Sequence, residues 1–286
     1  MLIAATCSTI AAMLAYASGG DTITLHGRCD TITIRQKYES TVTVDASKAL
    51  VRGLVINGEN IHWKGGVLTA SGGLNANGPT GYAVRVFYGK SVTIEGALIT
   101  DASRGVVLDR SEDINIIKNR FNGLRVDGII ASRVAGMKVT WNDFRNSKPN
   151  PSTCVSSDGQ TAFEVARRSC EGAWRDGDHA DAVQMRNGIS DALIAFNRVT
   201  GQTQGLTQMD SVNDAPLKNV VIRKNAIATD GYHRLTLTRC YDCRIEGNYV
   251  RRQKGSTKKA VILEGMATRC GNFVEDERSR DPRCPS

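Results

Sequence analysis

The segment Arg175-Asp176-Gly177-Asp178-His179-Ala180-Asp181-Ala182-Val183-Gln184 places a histidine among three carboxylates, and Arg186 follows two residues on. His179 is one of four histidines in 286 residues. Carboxylates beside an imidazole orient it and hold its titration near neutral pH, as a general base or acid requires. Elimination across a uronate needs a cation on the carboxylate, a base for the adjacent carbon-bound proton and an acid for the leaving oxygen. His179 would serve as base or acid, Asp178 or Asp181 would orient it, and Arg186 would neutralise the carboxylate. Glycoside hydrolysis needs instead two carboxyls about 5–10 Å apart, and Asp109, Asp127, Asp181 and Asp210 offer pairs. A plainer account of the segment is a turn at Asp176 to Asp178 that His179 caps. Asp176, Asp178 and Asp181 also raise Ca²⁺ as a cofactor, although Ca²⁺ takes six or more oxygen ligands. No other cofactor is suggested.

These side chains need a scaffold, and the sequence describes one. Short runs such as Thr22-Ile23-Thr24-Leu25, Thr31-Ile32-Thr33-Ile34 and Thr41-Val42-Thr43-Val44 alternate with period two, as strands with one buried face do. A second strand type recurs as Ala83 to Phe87, Gly105 to Asp109, Gly128 to Ser132, Ala182 to Arg186, Gly205 to Thr207, Arg234 to Thr238 and Ala260 to Glu264. Alternation places Val84, Val86, Val106, Leu108, Ile129, Ala131, Val183, Met185, Leu206, Leu235, Leu237, Val261 and Leu263 inside. Arg85, Asp109, Ser132, Gln184, Arg186 and Thr236 then face out as a shallow polar strip, suited to an extended chain. Lys118, Arg125, Asp127, Gln208, Asp210, His233 and Arg234 adjoin that strip in the sequence reading. With Arg85, Asp109 and Gln184 they form the candidate substrate-binding set.

A longer unit sets the period. Asn119, Asn142, Asn197, Asn225 and Asn248 share the pattern apolar, two residues, Asn, any residue, apolar. Asn119 to Asn142 and Asn225 to Asn248 are 23 apart, and Asn197 to Asn225 is 28. Asn142 to Asn197 is 55, best divided into one period and a 32-residue insertion, because residues 146–180 show no strand pattern. A 23-residue period with several strands per unit means a solenoid. The asparagines read as a stacked structural ladder, since Asn tolerates left-handed backbone and its amide can bond to copies above and below. They carry no chemistry in this reading.

Ser8 or Thr9 should cap a short helix with Ile10, Met13, Leu14 and Ala17 on one face, ended by Gly19-Gly20. The expected organisation is one domain over 1–286, with a helical cap in 1–19, about eight to ten coils over 20–265, an insertion at 146–180 and a tail at 266–286. The apolar start lacks a basic n-region, so it reads as a mature chain whose leader has been removed. Eight cysteines with local spacings suggest Cys7–Cys29, Cys154–Cys170 and Cys270–Cys284 disulfides and a secreted or periplasmic location. Cys240 and Cys243 form a lone CxxC, read as structural because a zinc ribbon needs a second such pair. The net charge of +8 favours anionic partners. No long Lys/Arg run marks a nucleic-acid arm, and no stretch of about 18 apolar residues marks a membrane span.

The opening Ser8-Thr9-Ile10-Ala11-Ala12, continued by Ser18-Gly19-Gly20-Asp21-Thr22-Ile23-Thr24-Leu25, resembles the cap and first strand of right-handed parallel β-helix proteins of the pectin-lyase-like superfamily. The Asn-x-apolar coils resemble that superfamily over residues 20–265. His179-Ala180-Asp181-Ala182-Val183-Gln184 resembles the His-x-Asp-x-apolar-Gln strand of carbohydrate-active β-helix proteins. The resemblance implies an all-β, single-stranded right-handed parallel β-helix with an N-terminal capping helix. It spans lyases, hydrolases, epimerases, tailspikes and adhesins, so function must come from the site. The paired Asp-Asp and Gly-His-Gly motifs of polygalacturonases and the Asp-Pro-His-Asp motif of mannuronan epimerases are absent. The reading that results is a monomeric lyase that cleaves an extended anionic, uronate-containing polysaccharide by β-elimination. A hydrolase or epimerase on the same fold, or a non-catalytic carbohydrate-binding or adhesive protein, is the alternative.

Overall fold

A computed structural model describes residues 1–72, 74–75, 78–79, 81–145, 181–201, 203–208, 214–231, 233–256, 259–263, 265–277 and 281–284. The chain winds as a single-stranded right-handed parallel β-helix. Each full coil contributes a strand to three parallel sheets. The first sheet stacks Ile32–Ile34, Leu54–Ile56, Tyr82–Phe87, the start of Arg104–Ile117, Ile129–Ala135, Asp181–Arg186, Gln204–Gln208, Leu235–Thr236 and Ile262–Leu263. The second sheet runs from Leu2–Thr6 to Thr268–Cys270, and the third ends on Phe273–Val274.

Branched apolar residues fill the interior because each strand alternates between core and surface. Val84, Val106, Ile129, Val183, Leu206 and Leu235 are all buried, as the alternation requires. The last coil departs from the expectation. Leu235 pairs with Ile262, so Ile262 lies inside, Val261 is half-buried and Leu263 is exposed. A one-residue shift exchanges the two faces of a strand. Phe121 and Phe144 stack inside the core with centroids 4.4 Å apart.

The helix Ile10–Tyr16 buries Ile10 and Leu14, with Ala17 buried just beyond, and Thr9 is its N-cap. The Tyr38 hydroxyl donates to the Leu14 carbonyl at 2.6 Å, fixing the cap to the coils beneath. The stack is longer at both ends than 20–265. Leu2–Thr6 pairs with Thr22–Cys29 ahead of the helix, and Thr268–Cys270 and Phe273–Val274 follow residue 265. Cys7–Cys29 and Cys270–Cys284 are disulfides, and Cys240 and Cys243 are bonded to each other. Cys154 and Cys170 lie outside the described residues.

The asparagine ladder is continuous. The Asn119 backbone N–H donates to Asn142 Oδ1, Asn142 to Asn197, Asn197 to Asn225 and Asn225 to Asn248, at 2.9–3.0 Å. Asn248 passes the chain of bonds to Asn272, one rung beyond those visible in the sequence pattern. Asn142 and Asn197 bond directly, so their 55-residue separation holds one coil step and an insertion. The left-handed residue is not the asparagine but the one before it: Lys118, Trp141, Phe196 and Lys224 have φ of 52–60°. This turn aims the following amide along the stack, where a buried Asn finds donors and acceptors at every step.

Candidate functional site

Glycines shape the entry to the first sheet. A Cβ at Gly105 would lie 2.4 Å from the Gly128 carbonyl, and one at Gly128 would lie 2.5 Å from that of Ala182. The preceding residues therefore stand together at the corner. Tyr82 pairs with Arg104 and Asp181 with Gln204. Backbone bonds from Gly105 to Asp127, Gly128 to Asp181 and Gly205 to His233 continue that alignment. Tyr82, Arg104, Asp127, Asp181, Gln204 and His233 thus occupy equivalent positions on successive coils.

Asp127 and Asp181 are neighbours in this column. Asp127 is 2% exposed and Asp181 fully buried. Asp127 Oδ1 accepts the Asp181 backbone N–H at 3.3 Å, and its Oδ2 faces Arg104 Nε at 3.4 Å. Asp181 Oδ1 accepts the Thr207 hydroxyl at 2.7 Å, and Oδ2 accepts Gln184 Nε2 at 3.0 Å. Burial pushes the Asp127 carboxyl up to about 6, against the opposing pull of the Asp181 N–H, Arg104 and Arg186. Burial, and then the charge of Asp127, push Asp181 well above the usual carboxylate range. Two carboxyls on adjoining coils in a dry setting resist double ionisation. One therefore holds a proton over a pH range where the other does not, which is the arrangement of a general acid and base.

Arg104 connects this pair to solvent, and Arg186 acts on Asp127 through its charge. The Arg104 side chain is 48% exposed and that of Arg186 43% exposed. Arg186 also lies 3.8 Å from Asp214. His233 enters the column two coils beyond Asp181; its Nδ1 is 3.4 Å from the Thr236 hydroxyl, and its backbone N–H donates to Gln204 Oε1. Arg125 is half-buried in the connection leading to Asp127. Arg85 lies on the exposed strip, its guanidinium 5.0 Å from the Phe87 ring centroid. Gln184 belongs to the site through Asp181, and it is buried where the sequence reading had it open on the strip.

Four other residues do different work from that expected. Arg234 is fully buried and donates to the carbonyls of Thr229 and Lys259, so it braces a connection. Gln208 is buried and exchanges two bonds with the Arg239 backbone at 2.8 and 2.9 Å. Lys118 sits at the left-handed turn between the second and third sheets, paired with Glu95, away from the strip. Asp109 is on the strip but takes Arg133 Nε and Nη2 at 2.9 and 2.6 Å. His179, Asp178, Asp176 and Asp210 lie outside the described residues. Of the three Ca²⁺ candidates, Asp181 has a donor on each oxygen, an arrangement that suits Thr207 and Gln184 and not a cation. No group of three metal-ligating side chains occurs among the described residues.

Arg104 and Thr207 were missed in the sequence. Arg104 precedes Gly105 as Asp127 precedes Gly128, and that repeated position was the available signal. Thr207 pairs with Gln184 one coil further along, but a lone threonine between Leu206 and Gln208 carries no mark.

Fold and site together define a right-handed parallel β-helix with a paired-carboxyl site on its first sheet. No family model and no curated protein sequence matches the chain. Solved structures do resemble it. The Dettilon tailspike protein superposes with a TM-score of 0.58 at 13% identity, over 93% of this chain and 56% of that one. A DFA-IIIase from Arthrobacter chlorophenolicus A6, without its lid, gives 0.50 at 11% identity, over 91% and 61%. An alginate lyase from Paenibacillus sp. str. FPU-7 gives 0.46 at 17%, over 96% and 95%. The chain spans 56–61% of the length of the first two. At these identities the likeness to the first two shows the fold alone.

Proposed function

We propose that this protein cleaves an extended acidic polysaccharide laid along the first sheet, with Asp127 and Asp181 as the proton-transfer pair. The observation that carries this reading is the pairing of two buried carboxyls on adjoining coils, both raised above the carboxylate range. Asp181, raised further by its neighbour's charge, holds the proton and acts as acid; Asp127 acts as base. Neighbouring strands lie about 4.8 Å apart, within reach of the carboxyl spacing that glycoside hydrolysis uses. Arg104 and Arg186 meet the anionic groups of the chain. The DFA-IIIase likeness, an enzyme on this fold, supports an active β-helix. Three disulfides support a secreted or periplasmic setting.

Elimination is the second reading, favoured by Arg104 and Arg186, cations placed to neutralise a uronate carboxylate. His179 would then be base or acid, with Asp178 or Asp181 orienting it. A non-catalytic binding protein has its own support, because Asp181 is fully buried and both its oxygens are satisfied. A panel of acidic and neutral polysaccharides separates the three. Reducing ends without unsaturated product, lost by at least about a hundredfold in Asp127→Asn and Asp181→Asn, identify hydrolysis. Unsaturated product lost in His179→Ala identifies elimination. Binding without cleavage of any polymer refutes the enzymatic proposal.

A further inference from the structure

The third sheet carries a feature that the first-sheet site does not use. Its outward positions form columns along the stack. One column runs Arg198, Ala226, Tyr249, Phe273, and the next runs Thr200, Ala228, Arg251. Both columns drop to alanine on the same coil. Strands repeat about every 4.8 Å, so the chains bearing Arg198 and Tyr249 stand about 9.6 Å apart with only methyl groups between them. A slot results, floored by Ala226 and Ala228. With Arg198, Tyr249 and Arg251 these line a hollow of about 430 Å³ that reaches Trp141 and Phe196, and it adjoins a depression of about 880 Å³ bordered by Arg145, Arg252 and Lys254.

The ring in this slot is placed to receive another ring. Tyr249 is 45% exposed. One of its faces stacks on Phe273 with centroids 4.8 Å apart and planes 11° from parallel. Its other face looks onto Ala226, one coil step away. A flat ligand ring at the Ala226 level would meet Tyr249 at the separation Phe273 has on the other side. Phe196 does not compete, because Trp141 covers one of its faces at 4.5 Å and Lys224 sits 5.7 Å over the ring.

The charge in the slot is one-sided. Arg198 and Arg251 in the slot and Lys254 beside it have no ion-pair partner among the described residues, whereas Asp143, on the coil before Arg198, is engaged by Arg145, and Glu275 by Arg252. The hydroxyl of Thr200 borders the slot, and the amides of Asn122 and Gln253 border the adjoining depression. A ring to stack, anionic groups to meet arginines and hydroxyls to meet amides describe a charged sugar. Single-stranded nucleic acid requires successive stacking platforms, and this slot presents one open ring face.

We propose that the slot between Arg198 and Tyr249 is a binding subsite for an anionic oligosaccharide, separate from the first-sheet pair. One charged sugar ring replaces the missing rung over Ala226, stacked on Tyr249, with its carboxylate or sulfate between Arg198 and Arg251. The proposal stands whether or not the first sheet is catalytic.

Calorimetric titration of the full chain tests it with galacturonate and guluronate oligomers, heparin-derived oligosaccharides, neutral maltooligosaccharides and oligothymidylate. Binding of a carboxylated or sulfated oligomer, at least tenfold tighter than the neutral one, is expected. Tyr249→Ala and Arg198→Ala should each weaken it about tenfold. Ala226→Phe, which adds a ring to an exposed position and removes no contact, should abolish it. The losses in Tyr249→Ala, Arg198→Ala and Ala226→Phe should be the same when each is made in an Asp127→Asn chain, in which first-sheet cleavage is removed, and this keeps the result distinct from any failure at the first sheet. The carboxylated and sulfated arms identify which anion is preferred. The proposal is overturned if no anionic oligomer binds, if Ala226→Phe binds as wild type does, or if oligothymidylate binds more tightly than every saccharide.

Discussion

Replacing Asp127 by Asn isolates the electrostatic cost of the buried pair. Burial raises the Asp127 carboxyl to about 6, from an ordinary value of 3.8. A difference of about two pKa units corresponds to about 3 kcal/mol between the two protonation states. Between pH 4 and 6 the folded chain retains a proton that the unfolded chain has released. Stability must therefore fall as pH rises through that window, and the loss is complete above about pH 6. Asn cannot ionise, and its amide oxygen can still accept the Asp181 N–H that Asp127 accepts at 3.3 Å. The loss of the Arg104 contact adds a constant offset, small because that side chain is half exposed. The variant should then gain about 3 kcal/mol relative to wild type between pH 4 and pH 7. Removing the Asp127 charge should also lower the pKa of Asp181, because that charge is the second cause of its elevation. Urea unfolding midpoints followed by circular dichroism from pH 4 to 8, at fixed ionic strength, read the difference directly. A difference that stays flat across the window, or moves in favour of wild type, refutes the assignment of a raised carboxyl at this position.

If the pair works as acid and base, the rate of polysaccharide cleavage should rise through about pH 6 as Asp127 ionises and fall again where Asp181 loses its proton; a rate independent of pH over that range contradicts the roles given. Asn197→Ala should lower stability by about 3 kcal/mol or more in denaturant titrations, because it orphans the buried Asn142 N–H and the Val139 carbonyl. Phe144→Ala should cost about 3–5 kcal/mol by opening a cavity against Phe121, read as a lowered melting temperature. Reduction of Cys7–Cys29, which spans 22 residues, should cost about 3 kcal/mol and expose amides of the Ile10–Tyr16 cap to hydrogen exchange before those of the coils.

Much of the scaffold was legible because a solenoid repeats the same physical problem. Each coil must bury one face of each strand and turn a corner, and Asn119 through Asn248 mark one solution at the same place in each coil, 23 residues apart where no loop intervenes. Asn272 was invisible to that pattern because Arg269 stands where the other rungs have Ile or Val, yet it closes the ladder with the same bonds. The strand Leu2–Thr6 was hidden for a different reason. Ile3 and Ala5 alternate with exposed neighbours, but they adjoin an Ala-rich run that reads as helix, and parallel pairing to Thr22–Cys29 supplied the deciding energy.

The site was less legible because its geometry is set by residues without side chains. Period-two alternation aligns the first-sheet strands on Gly105, Gly128 and Gly205 and assigns residues after them to the strip. Those glycines mark a corner where a Cβ would strike the next coil's carbonyl. A corner turns the preceding side chain toward its copies above and below, not toward solvent. Arg104, Asp127 and Asp181 therefore meet one another, and Gln184 and Thr207 turn their polar atoms to Asp181 in place of water. Period-two alternation separates core from surface, but it has no third category for a polar residue that leaves the core and is still enclosed. Chemistry in a parallel β-helix is best sought at that third kind of position. There burial can shift a carboxyl by several units, and the coil spacing fixes how closely two of them stand.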